Sequence, residues 1–161
     1  MKDRTTRQAL QFATLIILVC CAMGPLAAAM KNWAIVVAVG SKLQDVSLAD
    51  LSKFCKGTQK SWPDGRSFTL VVENPDLPEM RGTLGKLLGV SEGELKPALA
   101  KMNESRVVLK IVESDEDLIR TVGAVPGAVG LLDVYSINSA VKVLRVDGKL
   151  PFDAGYILKG N

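Results

Sequence analysis

Residues 73–83 read Glu-Asn-Pro-Asp-Leu-Pro-Glu-Met-Arg-Gly-Thr, a stretch that sets an arginine, an amide and a hydroxyl among carboxylates where a helix would begin. A helix opening here would present free backbone N–H groups and the positive end of its dipole, which together attract a small anion. Arg81, Gly82 and Thr83 would lie in its first turn or two, within reach of that anion, and Asn74 would sit in the turn that leads in. Three carboxylates oppose this chemistry. Asp76, as N-cap with Glu79 completing a capping box, would satisfy the free amides itself. Glu73, Asp76 and Glu79 would also repel an oxyanion. The plain alternative for Arg81 is a solvated helix face.

Catalytic chemistry finds little support. The chain has no His, which removes the usual activator of a Ser or Cys nucleophile and the commonest metal ligand. Cys55 falls on the apolar face of a helix and reads as a small core residue. Asp115, Glu116 and Asp117 suit the positive end of a following helix, and no spacing resembles an EF-hand loop. Lys53, Lys56 and Lys60 read as a solvated face, with a partner surface as the alternative. No cofactor and no enzyme activity are implied.

The elements that must position these groups are signalled clearly. Trp33–Val39 is a continuous apolar, β-branched run, suited to a strand covered on both faces as in a parallel sheet. Ser47 and Asp50 form a capping box, Val46 and Leu51 a staple, and Leu48, Leu51, Phe54 and Cys55 a buried stripe that Gly57 closes. Trp62-Pro63-Asp64-Gly65 then turns the chain, with Trp62 as the packing anchor of that turn. Phe68–Val72 is a second strand. A helix from Asp76 buries Leu77, Met80, Leu84, Leu87 and Leu88 and ends at Gly89. Ser91 and Glu94 cap the next, with Val90 and Leu95 as staple and Leu95, Leu99 and Met102 inward, although Pro97 is awkward inside it. Arg106–Val112 is a short strand. Ser114 and Asp117 cap a fourth helix carrying Leu118, Ile119 and Val122. Strands are expected at Ala128–Val134 and Val141–Val146, the latter closed by a turn at Asp147 and Gly148, with an edge strand at Gly155–Leu158.

Strands alternating with capped helices give an α/β domain: three layers, a mixed and mainly parallel sheet, helices on both faces. In such sheets ligands bind beyond the carboxyl ends of strands. Three places qualify: Gly40 and Ser41, the stretch Glu73–Thr83, and the turn at Pro126, Gly127 and Ala128. The candidate ligand contacts are therefore Ser41, Asn74, Arg81, Gly82 and Thr83.

The N-terminus obeys other rules. Lys2, Arg4 and Arg7 precede an apolar run from Phe12 to Met23, Gly24 and Pro25 break it, and Ala27–Ala29 offer a cleavage site. The run is shorter than the ~20 residues a membrane span needs. Residues 1–29 thus read as a secretory signal peptide cut near Ala29, with an uncleaved anchor as the alternative, and residues 30–161 as one domain in the periplasm or outside the cell. Of 20 Lys and Arg and 17 Asp and Glu in the chain, Lys2, Arg4, Arg7 and Asp3 belong to that segment, leaving 17 against 16. That near-neutral remainder argues against nucleic-acid binding. Only Cys55 would survive cleavage, so no internal disulfide is expected.

The passage Leu51–Gly65, with Phe54, Gly57, Trp62, Asp64 and Gly65, and the passage Pro126–Leu131 resemble two recurring motifs of the periplasmic phosphate-binding proteins of ABC transporters. Val129 and Leu131 stand where that family has Ile and Tyr. The resemblance implies a single lobe of the type II periplasmic-binding-protein fold with part of a crossover, and a non-catalytic role in binding phosphate or another small anion beside an ABC permease. It also implies an Arg and a Ser-Gly-Thr-like segment at the turn after the second strand, where this chain has Glu73 and the carboxylates after it. The alternative is an envelope interaction or adaptor module that kept the lobe and lost the ligand, with an exposed apolar surface and self-association.

Overall fold

The computed structural model describes residues 31–104 and 108–159; the expected signal peptide lies outside them, as do positions 106–107 of the expected third strand. Among the described residues no helix is long and apolar enough to cross a membrane.

Among the described residues seven strands and four α-helices follow in the order β1 (Trp33–Ala38), β2 (Asp45–Val46), α1 (Leu48–Cys55), β3 (Thr69–Glu73), α2 (Pro78–Leu88), α3 (Glu92–Glu104), β4 (Val108–Val112), α4 (Asp115–Ala124), β5 (Ala128–Asp133), β6 (Val141–Val143) and β7 (Arg145–Val146). The main sheet runs β4-β3-β5-β1-β6, and β2 pairs with β7 in a separate ribbon. β3, β4 and β5 are parallel, while β1 is antiparallel to both β5 and β6. Four of the five strands thus point one way and β1 alone is reversed. β1 is covered on both faces, as its apolar run requires, but burial does not encode direction, and its antiparallel pairing differs from the expected one.

Side chains alternate across the sheet into two cores. Trp33, Ile35, Leu70, Val72, Val129 and Leu131 face α1, α2 and α3. Ala34, Val36, Val71 and Leu132 face α4 through Leu118, Ile119 and Val122. Gly130 shows how close the second layer lies: a Cβ there would meet Leu118 Cδ2 at 2.5 Å.

Three of the four expected capping boxes form. Ser47 Oγ accepts from Asp50 N–H at 3.0 Å, Ser114 Oγ from Asp117 N–H at 3.2 Å, and Glu94 Oε2 from Ser91 N–H at 3.2 Å. α1 closes with Gly57 at φ 73, where Gly57 N–H reaches Phe54 O and Thr58 N–H reaches Lys53 O, a Schellman pattern. The aromatic anchor also forms: Trp62 is buried, its ring centroid is 4.4 Å from Phe54, and its Nε1 donates to Gly127 O at 2.9 Å.

Three expectations fail for identifiable reasons. α2 does not start at Asp76. Pro78 occupies the first helical position and holds Leu77 extended, at φ −62 and ψ 134, so the N-cap is Leu77 without a side-chain cap. The stretch Val141–Val146 is broken into β6 and β7, because the chain leaves the sheet at Leu144 to pair with β2. Gly155–Leu158 is a run of turns and not a strand; Tyr156 and Leu158 are buried, and only Lys159 bridges back to Asn32. The turn at Asp147 and Gly148 is as read: both have positive φ, 51 and 76, and Val146 and Lys149 exchange backbone hydrogen bonds across it.

Candidate functional site

The register separates the candidate residues into two groups. Ala38 at the end of β1 pairs with the start of β6, and Val36 lies beside Gly130 of β5, while Thr69 at the start of β3 lies beside Ala128. The end of β1 is therefore at the same edge as the beginnings of β3 and β5. Ser41 sits there, lining a cavity of about 170 Å³ with Gly40, Arg66, Pro126 and Gly127. Asn74 to Thr83 follow the opposite end of β3, about 15 Å away across a five-residue strand. Two of the three expected ligand places thus merge at one edge, and the third faces the other way.

At the first edge the polar groups are already engaged. Ser41 Oγ accepts from Leu43 N–H at 3.3 Å, and its carbonyl accepts from Lys142 Nζ at 2.7 Å. At the second edge, Asn74 Oδ1 accepts from Asp76 N–H at 3.1 Å, tying the turn that precedes α2. That bond uses the amide of the residue expected to cap the helix. Thr83 is fully buried and its hydroxyl donates to Glu79 O at 3.1 Å, so its side chain is spent inside the helix. Gly82 is half-buried on α2. Arg81 lines a cavity of about 310 Å³ between the start of α2 and α3, opposite Lys96 but with Asp76 and Glu92 on the same walls. The five residues do not converge on one site.

What does converge at the strand ends is a group of carboxylates. β3 ends at Glu73, half-buried, and the neighbouring strand β4 leads into Asp115 and Glu116 at the head of α4. Burial, then the charge of Asp115, hold the Glu73 carboxyl above its ordinary range; Lys31 opposes them and Glu116 adds to them. Asp115 is tied down on one side, where Ser136 Oγ donates to Oδ2. Its Oδ1 is buried without a donor. A proton kept on Glu73 would supply one. Lys31, whose ammonium lies 5.4 Å from the centre of the Trp33 ring, is the cation of the group. At the end of β5, Asp133 accepts from Tyr135 N–H at 3.1 Å, and Tyr135 is 81% exposed.

Lys31, Asp115 and Ser136 escape sequence reasoning because they lie on three separate segments. The usable signal was the parallel pairing of β3 with β4, which brings together the residues that follow each strand.

Solved structures share this arrangement of strands and helices. An ABC-type phosphate transport receptor from Vibrio cholerae superposes with a TM-score of 0.58 at 19% identity, over 76% of this chain and 49% of that one. PstS from Borrelia burgdorferi gives 0.60 at 15% identity, over 83% and 56%. A phosphate-binding protein from Stenotrophomonas maltophilia gives 0.51 at 18%, over 76% and 40%. The fold is that of a phosphate-binding-protein lobe. The chain spans about half the length of these proteins or less. No family model matches the sequence, and no curated protein matches it. Within the lobe fold, the strand ends carry Glu73, Asp115 and Glu116.

Proposed function

We propose that the chain is an exported, non-catalytic recognition module of the cell envelope, built on one substrate-binding-protein lobe and no longer specialised for an oxyanion. The observation that carries this reading is the placement of Glu73 against Asp115 and Glu116 at the strand ends, where burial and then the charge of Asp115 raise the Glu73 carboxyl above its ordinary range. An approaching phosphate would add negative charge to a cluster of three carboxyl groups that already repel one another. Export rests on the basic start, apolar run and small residues of positions 1–29. The partner in this reading is an envelope protein or a second copy of the chain; Val39, Ile111, Tyr135 and Phe152 are individually exposed apolar side chains.

The solved relatives are named for phosphate, and one observation favours a small anion here as a second reading: Arg81 and Lys96 share a cavity. Asp76 and Glu92 on its walls offset their charge. Melting curves in phosphate, sulfate and a neutral osmolyte separate the readings, together with sedimentation over a wide concentration range. A recognition module shows no shift specific to the anions and associates with itself or a partner. A phosphate-specific stabilisation of a strictly monomeric chain would sink the proposal.

A further inference from the structure

The helical layer of α1, α2 and α3 encloses a second chemistry, at the end of α2 farthest from Glu73. A cavity of about 310 Å³ is lined by Cys55, Leu88, Val90, Ala98 and Met102, with Lys56 and Lys101 beside them. Cys55, Leu88 and Met102 belong to the buried core, with exposures of 0%, 2% and 2%, while both lysines are exposed. The floor is thus apolar and buried, and the rim is cationic. The ion pairs among the described residues join Lys53 to Asp50, Arg66 to Asp64 and Arg120 to Asp117; neither rim lysine takes part.

Gly89 places Lys56 at the end of α2. It closes α2 in the left-handed conformation at φ 65, and a Cβ there would come 3.4 Å from Lys56 Nζ. The ammonium therefore lies against the carboxyl end of α2, where the helix dipole favours a cation. A long side chain at this position would fill the space that Lys56 occupies.

We infer that this cavity binds an amphiphilic monoanion, a medium-length aliphatic chain ending in a carboxylate, with the chain among Leu88, Ala98 and Met102 and the carboxylate between Lys56 and Lys101. The volume falls at the low end of small-ligand sites, roughly 300–1,000 Å³, so the chain is short. The complementarity is specific in sign: an apolar floor alone would accept a neutral alcohol equally well, and a cationic rim alone would accept phosphate. This site is independent of the strand-end carboxylates and does not depend on the role assigned to them.

Calorimetric titration of the full chain with hexanoate, octanoate and 1-octanol tests it. Octanoate should bind saturably, and about 15-fold more tightly than hexanoate for its two extra methylenes. Replacing both exposed lysines, Lys56→Ala with Lys101→Ala, should weaken octanoate at least about tenfold while leaving 1-octanol unchanged. Ala98→Phe should abolish both by filling the cavity. The lysine pair keeps the test decisive if Ala98→Phe disturbs folding, because both lysines lie on the surface. No saturable octanoate binding at millimolar concentration would overturn the inference, and so would octanoate affinity indifferent to the lysine pair.

Discussion

Glu73→Gln should stabilise the protein at neutral pH and do nothing in acid. The substitution keeps the size of the side chain, removes its charge and brings an N–H donor toward Asp115, whose buried Oδ1 lacks one. In the folded chain burial and then Asp115 raise the Glu73 carboxyl above the ordinary value of 4.5, with Lys31 pulling the other way. A raised acid binds its proton more tightly when folded than when unfolded. Its contribution to stability is therefore full below about pH 4.5 and is lost as the pH rises through the folded-state value. Above that value the wild type holds repelling carboxylates where the variant holds an amide hydrogen bond. Glu73 is only half-buried, so the gain at pH 7 is set at about 1 kcal/mol, the worth of an ordinary hydrogen bond. That corresponds to a rise in Tm of about 3–6 °C. Urea denaturation of both proteins from about pH 4 to 8 measures it. A variant no more stable than wild type at pH 7, or an advantage that does not change with pH, would refute the pairing of Glu73 with Asp115.

Other substitutions probe the framework. Gly127→Ala should destabilise by at least about 2–3 kcal/mol, because φ is +85 and a Cβ would lie 2.3 Å from Ser67 O, a backbone atom that cannot swing aside; urea midpoints report it. Trp62→Phe keeps most of the aromatic packing but deprives Gly127 O of its donor, and should cost about 1–3 kcal/mol in the same assay. Burial raises the Cys55 thiol to about 12, so its alkylation should be far slower than that of a peptide cysteine and should accelerate only when urea opens the fold. Peptide-resolved mass spectrometry follows that residue alone.

Most of the fold was legible because its signals are local. Capping boxes at Ser47, Ser91 and Ser114, glycines at positions 57 and 89, and β-branched runs each act over a few residues. The failures share a different origin. Asp76 looked like a cap until the pair of prolines around it is considered, since Pro78 forces its predecessor extended and moves the helix start by two residues. The reversed direction of β1 depends on which strands become neighbours, and nothing within Trp33–Ala38 specifies that. The candidate site suffered most. Ser41 and Asn74 both follow strands, yet they emerge at opposite edges because one of those strands is reversed. Glu73, Asp115 and Ser136 meet only through sheet pairing and a turn after β5.

Phosphate titrated into the full-length chain at neutral pH bears most directly on whether these strand ends have abandoned the oxyanion. With Glu73, Asp115 and Glu116 in place, millimolar phosphate should release no saturable heat and leave Tm unchanged. Saturable heat near one phosphate per chain would contradict the account, with a stabilisation approaching the roughly 2.7 kcal/mol expected at a hundredfold excess over Kd.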